Sequence, residues 1–219
     1  MGVAWTITYI ALVYRGFKDK SYGMPLVPLA LNLAWETTFS LIYPASSPSI
    51  VQTIISMIWM VSDVGIVATF FLYGYKYFER QYRLSRTEFH VFAMIAFVAS
   101  FAAMILGAPF FAQFEIYFKH DLFESAKFIA HIQNTVISIS FVAMFYTRRS
   151  SEGQSFTIAW SKWIGSSMTV GLTYVFIEHP DDLPFVAVFI ATTFIFDVWY
   201  MVLIYRQLRR ENINPWTRL

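Results

Sequence analysis

The stretch VFAMIAFVASFAAMILGAPFF, residues 91–111, has no charged side chain and is long enough to cross a bilayer, which takes about 20 mainly apolar residues. Similar stretches recur along the chain, separated by short polar breaks. They predict seven helices, at roughly 2–17, 24–43, 51–77, 88–111, 124–146, 156–177 and 184–206. We therefore predict an all-α fold, a single seven-transmembrane-helix bundle that occupies residues 1–219.

The composition of the whole chain agrees with a membrane protein. Hydrophobic residues make up 57% of the sequence and charged residues only 14%, against about 25% charged residues in soluble domains. So few charged side chains could not cover the surface of a water-soluble fold. The chain also lacks cysteine, which excludes disulfides, thiolate nucleophiles and thiolate metal sites.

The basic residues are divided unevenly between the predicted connections. Fourteen of the 16 Lys and Arg residues lie in alternate connections, their flanks and the tail, and only Lys119 and Lys127 lie on the opposite side. Because basic residues accumulate on the cytoplasmic side, we expect a cytosolic C-terminus and an N-terminus outside. In this count Lys162 belongs to the cytoplasmic flank of the sixth helix. Basic residues sorted in this way indicate a lipid bilayer as partner and no nucleic acid.

Three carboxyl groups lie near the middle of predicted helices: Glu36, Asp63 and Asp197. Ionisable groups at this depth are costly, so each is a candidate functional group. We expect no basic side chain at the same depth, and the absence of Lys from the seventh helix excludes a retinal Schiff base. A carboxyl group in a poorly hydrated site without a cation keeps its proton more readily and can act as a proton donor.

Helical spacing gathers polar and aromatic side chains around these acids. The stripes predict one polar pocket lined by aromatic rings. Its candidate binding or supporting residues are Asn32, Trp35, Trp59, Asp63, His131, Asn134, Trp199 and Tyr200. Aromatic faces stabilise a nearby cation by about 0.5–2 kcal/mol when desolvated. An acid with such a lining is suited to protonating an alkene or epoxide and guiding the carbocation.

Structural roles are open for the same groups. Glu36 and Asp197 are equally compatible with catalysis and with interhelical hydrogen bonding. For Asp63 the structural role is favoured because Ser56 and Trp59 are potential partners, and His131 is more often a packing residue than a proton shuttle. The sequence has no Asp-rich motif that would bind a diphosphate through Mg²⁺. We therefore expect metal-free chemistry without a cofactor, or binding alone.

Four markers follow one another along the chain. They are FKDKSYGMPLVPLALNLAWE at residues 17–36, Trp59 followed by Asp63, GQSFTIAWSKWIGS at residues 153–166, and Asp197 within FIFDVWY. In order and spacing they resemble the small integral-membrane terpene cyclases of meroterpenoid biosynthesis, which are known from fungi and have bacterial relatives. The resemblance covers nearly the whole chain.

The resemblance implies a non-ionising cyclase that protonates the prenyl chain of an aromatic or heterocyclic substrate and closes it through carbocations. The substrate is expected to be farnesylated, with or without a terminal epoxide, and the family's two essential acids fall on Glu36 and Asp197. Because the N-terminal extension of the fungal members is missing, we expect a bacterial inner-membrane protein that protonates a plain olefin, or an endoplasmic reticulum protein if the chain is fungal.

Besides a cyclase, two other classes of membrane protein remain as alternatives. A proton-coupled transporter or a ligand-sensing seven-helix protein would also carry carboxyl groups in its membrane helices. The absence of an inverted repeat and of Gly- or Pro-broken helices in matching halves argues against a transporter. A purely structural membrane subunit is the third possibility, in which neutralising the acids would change stability alone.

Overall fold

A computed structural model describes residues 2–43, 50–171 and 183–219. All regular structure in these ranges is helical, which confirms the all-α prediction for the described part of the chain. The α-helices are α1 (Gly2–Lys18), α2 (Leu26–Thr37), α3 (Ile50–Tyr73), α4 (Tyr75–Tyr82), α5 (Arg86–Ala112), α6 (Glu115–Phe118), α7 (Leu122–Arg148), α8 (Phe156–Trp163) and α9 (Leu183–Arg210). Two π-helical segments, Thr38–Ile42 and Ile164–Gly171, continue α2 and α8.

Within the described residues, each of the seven predicted segments overlaps one of these α-helices, or two in the case of residues 51–77. Among the described residues, four helices are long and apolar enough to cross a membrane, namely Ile54–Tyr73, Arg86–Ala112, Leu122–Arg148 and Phe185–Arg210. The helix Leu26–Ile42 is apolar but shorter. These helices indicate a multi-pass membrane protein, whereas the number of seven crossings and the orientation of the termini stay predictions.

The prediction of one helix over residues 51–77 is wrong at its C-terminal end. The helix α3 ends at Tyr73, and α4 begins at Tyr75 after a bend at Gly74. The N–H of Gly74 still donates to the carbonyl oxygen of Phe70 at 2.7 Å. A Cβ atom at Gly74 would collide with that same oxygen, so the bend requires a residue without a side chain.

Packing of the helices brings the predicted polar stripes into the interior. The helix α7 packs against α9, α5 and α2, while α1 packs against α8 and α3. The helix α2, which carries Glu36, contacts α3, α5 and α7. Side chains on the inner face of α2 therefore meet residues from several helices.

Aromatic residues make up 20% of the sequence, and some of them fill the core near the bend at Gly74. The rings of Tyr22, Phe70, Phe78 and Phe89 are buried and pack with centroids 5.1–6.1 Å apart. Most of these pairs are tilted or edge-to-face, which suits the ring quadrupoles. This cluster has a packing role and lies apart from the three acids.

A polar network closes one end of the bundle. Asp19 accepts hydrogen bonds from Arg15, from the N–H of Gly153 at 2.9 Å and from Arg218 at 2.8 Å. Gly153 has a φ of +70°, and a Cβ there would lie 2.9 Å from the carbonyl oxygen of Tyr22. The polar break before the predicted helix 156–177 is a loop between the end of α7 at Arg148 and the start of α8 at Phe156. The predicted loop at residues 44–48 lies outside the described residues.

Candidate active site

The side chain of Asn32 joins four helices in the interior. Its amide nitrogen donates to the Tyr9 hydroxyl oxygen on α1 and to Asp63 Oδ2 on α3 at 2.9 Å. Its amide oxygen accepts from Gln133 Nε2 on α7 at 3.1 Å. Asn32 is 5% exposed and Asp63 is fully buried, so these bonds form away from solvent. The three contacts together fix both the position and the orientation of the amide.

Glu36 lies one helical turn beyond Asn32 and is also buried. The Ser56 hydroxyl forms a hydrogen bond with its carboxyl group, and Asp63 is near enough to interact with it electrostatically. Within the described residues, Glu36 Oε2 and Asp63 Oδ1 are buried without a hydrogen-bond partner. The expectation that Asp63 pairs with Ser56 or Trp59 is wrong, because Asn32 bonds to Asp63 and Ser56 bonds to Glu36.

Aromatic rings surround this group of acids. The ring of Tyr9 packs between Trp5 and Trp59, with both centroid distances at 5.8 Å. Trp35 on α2 packs against Phe39 on the π-helical continuation of that helix, with ring centroids 5.0 Å apart. The predicted combination of carboxyl groups and aromatic lining is therefore present around Glu36, where Trp35 and Trp59 had been named as candidates. We refer to Tyr9, Asn32, Glu36, Asp63 and Gln133 as the Glu36 cluster.

Asp197 has a different environment. Its Oδ1 accepts a hydrogen bond from Lys162 Nζ on α8, and both side chains are only 1% exposed. Its Oδ2 accepts from the Ser167 hydroxyl at 3.2 Å, and Lys162 also donates to Ser138 Oγ on α7 at 2.7 Å. The expectation that no basic residue lies at the depth of the acids is thus wrong for Asp197. Lys162 is a buried partner of this carboxyl group and not a residue of the cytoplasmic flank. These four residues form the Asp197 cluster.

The two clusters share supporting helices. On α1, Tyr9 contacts Asn32, while the preceding Thr8 lies 2.8 Å from the hydroxyl of Ser161, the residue before Lys162. On α7, Gln133 belongs to the Glu36 cluster and Ser138 to the Asp197 cluster. Five residues of α-helix span about 7.5 Å, so the attachment points on α7 are little more than one turn apart.

The remaining predicted residues are divided between the interior and the periphery. His131 is 4% exposed and Tyr200 is 1% exposed, so both lie in the interior. The Tyr200 hydroxyl, however, donates to Gln154 at 2.5 Å, so Tyr200 interacts with the closed end of the bundle and not with either cluster. Asn134 is only half-buried, and its neighbour Gln133 makes the contact with Asn32. Trp199 is 43% exposed and packs against Phe196 and Tyr146, so its predicted place in the pocket wall is wrong.

The predictions missed four polar residues of the two clusters. The candidate residues did not include Tyr9, Gln133, Lys162 or Ser167. A signal exists in the sequence for α8 and its continuation, where Ser161, Lys162, Ser166 and Ser167 interrupt an otherwise apolar helix. The side chain of Gln52, and Glu178 and His179, lie outside the part of the chain whose side chains are described.

Neither of two surface pockets contains the clusters. One, of about 820 Å³, is a mainly apolar groove between the start of α2, α4, α5 and the end of α7. The other, of about 740 Å³, is lined by Lys20, Lys76, Arg86 and His90 with neighbouring aromatic residues. In the described ranges no group of three or more His, Asp or Glu side chains has the arrangement of a metal site.

Fold and site together define a multi-pass helical membrane protein with buried acids and aromatic rings in its interior. The chain matches the family described as Pyr4-like transmembrane terpene cyclases over residues 1–211, and it belongs to that family. The resemblance stated from the sequence markers is therefore confirmed, as is the prediction of an enzyme of the terpene cyclase class. Membership does not favour the transporter and sensor alternatives.

Individual proteins that are similar to the chain are also named terpene cyclases. The chain is 29% identical to the Pyr4-family terpene cyclase mfmH of Annulohypoxylon moriforme over 90% of this chain and 76% of the relative. It is 25% identical to terpene cyclase pyr4 of Aspergillus fumigatus over 96% of this chain and 85% of the relative. With terpene cyclase penB of Penicillium crustosum it shares 28% identity over 78% of this chain and 65% of the relative, slightly less than two thirds of that protein. No solved structure matches the chain.

Proposed function

We propose that the chain is a protonation-initiated membrane terpene cyclase that closes the prenyl chain of a prenylated aromatic or heterocyclic compound to give a meroterpenoid. One observation carries the proposal. Glu36 and Asp63 are both buried and near each other, beside aromatic rings, and neither has a cationic partner among the described residues. Family membership supports a prenyl-derived substrate.

The Glu36 cluster retains a proton. Two nearby carboxylates in a poorly hydrated interior repel each other, so the pair keeps at least one proton at neutral pH. The amide of Asn32 donates to Asp63 Oδ2, and such a bond favours negative charge on Asp63. We assign the proton to Glu36, because its partner Ser56 is a hydroxyl that can donate or accept, whereas the amide nitrogen of Asn32 can only donate to Asp63. Since Oε2 of Glu36 has no hydrogen-bond partner within the described residues, this oxygen can present the proton to a substrate.

The chemistry begins when the O–H bond of Glu36 breaks and its proton adds to the terminal alkene, or opens a terminal epoxide. The resulting carbocation is attacked by the next double bond, and the chain closes ring by ring. The faces of Tyr9, Trp5 and Trp59 stabilise positive charge nearby, by about 0.5–2 kcal/mol each when desolvated. Loss of a proton or capture by a nucleophile of the substrate ends the sequence, and the product is an isomer of the substrate.

The proposed topology is the seven-helix one, with the N-terminus outside and the C-terminal tail in the cytosol. The uneven distribution of Lys and Arg supports this orientation even with Lys162 moved into the interior. The closed end of the bundle, where Asp19 bonds to Gly153 and Arg218, then faces the cytosol. The substrate head group, its prenyl length and the membrane of residence stay predictions from the family resemblance.

The test is conversion of a farnesylated aromatic substrate by membranes that contain the chain. Glu36→Gln should lower turnover by about 10²–10⁴-fold, the usual contribution of a general acid. Glu115→Gln is the matched control, since Glu115 is 79% exposed on α6 and should retain full turnover. Equal turnover by the Glu36 variant and the wild type, at equal amounts of folded protein, would refute the assignment of Glu36.

The same assay separates cyclisation from transport. A cyclase converts the substrate into a product of unchanged mass and different chromatographic mobility in open membrane fragments. A transporter leaves the substrate chemically intact there, because open fragments sustain no gradient. Recovery of unchanged substrate across aromatic and heterocyclic head groups would contradict the proposed function.

A further inference from the structure

Within the described part of the chain, Lys162 and Asp197 form an ion pair in which each side chain is only 1% exposed. It joins α8 to α9, and Lys162 extends the contact to α7 through Ser138. The ammonium nitrogen also lies 5.4 Å from the ring centroid of Phe141. Ser138 and Phe141 of α7 thus contact the ammonium end of a charged pair inside the bundle.

The hydrogen bonds determine which form of Asp197 fits. Both of its oxygens act as acceptors, Oδ1 from an ammonium group and Oδ2 from the Ser167 hydroxyl. A proton on Oδ1 would oppose the N–H of Lys162, and it would leave a buried ammonium without its counter-charge. Acceptance at both oxygens is the hydrogen-bonding pattern of a carboxylate.

The Glu36 cluster differs from the Asp197 cluster in its lack of a cationic partner within the described residues. Its acids interact with the Asn32 amide, the Ser56 hydroxyl and each other, and neither has a Lys or Arg partner among the described residues. Two carboxyl groups without a cation share a proton, whereas a carboxyl group bonded to an ammonium does not need one. The two acids that the family resemblance treats alike are thus in different protonation environments.

We propose that Lys162 is a positioning residue that holds Asp197 as an oriented carboxylate, so that Asp197 supplies a fixed negative charge during cyclisation while Glu36 supplies the proton. This inference rests on the proposed function. The pair is neutral as a whole, which makes its burial tolerable, and its negative end belongs to α9. Preorganised charge of this kind stabilises a developing cation without rearrangement at the moment of reaction.

Infrared spectroscopy of the reconstituted protein tests the charge state without any substrate. The C=O stretch of protonated carboxyl groups should be unchanged in Asp197→Asn and reduced in Glu36→Gln. In Lys162→Met the same band should grow by one carboxyl group, and this growth should vanish in the double variant Lys162→Met/Asp197→Asn. Loss of the protonated band in Asp197→Asn alone would overturn the inference.

Turnover tests the positioning role. Lys162→Met should reduce kcat by about 10²-fold or more with little change in KM, and Lys162→Arg should restore part of it because the guanidinium keeps the charge. The double variant removes both charges and checks folding, since it leaves no uncompensated ion. It should fold and remain slow. Wild-type turnover by a folded Lys162→Met or by the double variant would show a merely structural pair and overturn the proposal.

The infrared and turnover measurements distinguish a failure of this inference from a failure of the proposed function. If no variant and no wild-type protein forms an isomer, the proposed function is wrong, while the infrared bands still report whether Asp197 is ionised. If the wild type cyclises and Lys162→Met cyclises equally well, the function stands and the role of Lys162 is refuted.

Discussion

Replacing Asn32 by leucine tests whether its amide joins the interior helices. The substitution preserves the approximate volume of the side chain and removes the hydrogen bonds to Tyr9, Asp63 and Gln133. Interhelical hydrogen bonds in membrane proteins average about 0.6 kcal/mol, which gives about 2 kcal/mol for three. Buried partners left without a bond cost about 1–3 kcal/mol each, although these costs do not add fully. We expect the free energy of unfolding to fall by about 2–5 kcal/mol.

The free energy of unfolding is measured for Asn32→Leu in lipid bicelles, by steric trapping. The matched control is Asn134→Leu, because Asn134 is a half-buried amide on α7 and lies outside the cluster. It should change the free energy by no more than about 0.5 kcal/mol. If Asn32→Leu behaves like this control, the amide does not join the helices, and the argument that Asn32 keeps negative charge on Asp63 loses its basis.

Two further predictions concern the closed end of the bundle. Gly153→Ala should destabilise the protein by more than about 1 kcal/mol in the same unfolding assay, because the φ of Gly153 is +70° and a Cβ there would collide with the carbonyl oxygen of Tyr22. The control is Gly107→Ala, which lies inside α5 with its nearest neighbour at 3.7 Å and should be neutral or stabilising. Equal effects of the two substitutions would contradict the argument. Burial and the hydrogen bond to Glu152 raise the pKa of Tyr77, which lies on α4 beyond the apolar helix, from 10.0 to about 12. The folded state thus holds this proton more tightly, so the associated stability is complete below pH 10.0 and is lost as the pH rises through about 12. Tyr77→Phe should remove that alkaline loss in a pH series of unfolding measurements, and an unchanged pH profile would show that Tyr77 does not cause it.

The helices could be predicted because burial in lipid imposes apolar stretches of fixed length. Their ends could not, since caps are polar and lie beyond the hydrophobic signal. The helix predicted at 88–111 starts at Arg86, because Ser85 accepts from the N–H of Glu88 in a capping box. The helix predicted at 124–146 starts at Leu122, because Asp121 accepts from the N–H of Phe123 at 2.7 Å. Each cap extends its helix by about half a turn.

For the candidate site, the sequence predicts which residues share a face within each helix. Ser56, Trp59 and Asp63, which share one face of α3 at helical spacing, are all buried. The same holds for Thr193 and Asp197 on α9. Helical spacing determines which residues share a face, but it does not determine which face of another helix they meet. Distance from a predicted helix end therefore suggested that Lys162 lay near the membrane surface. The structure instead buries Ser151, Gln154 and Ser155, so the chain is already inside the bundle when α8 begins.

The π-helical continuation of α8 gives the physical reason why one carboxylate can be held by two residues of the same helix. In an α-helix each residue turns by about 100°, so residues five apart point about 140° away from each other. Lys162 and Ser167 are five apart, yet both bond to Asp197. The π-helical segment Ile164–Gly171 resolves the conflict, because its i→i+5 pattern brings residues five apart toward one face. The segment Thr38–Ile42 likewise starts two residues after Glu36. A departure from α-helical geometry thus begins two residues after Glu36 and two residues after Lys162, and after Lys162 it allows one helix to bond to both oxygens of Asp197.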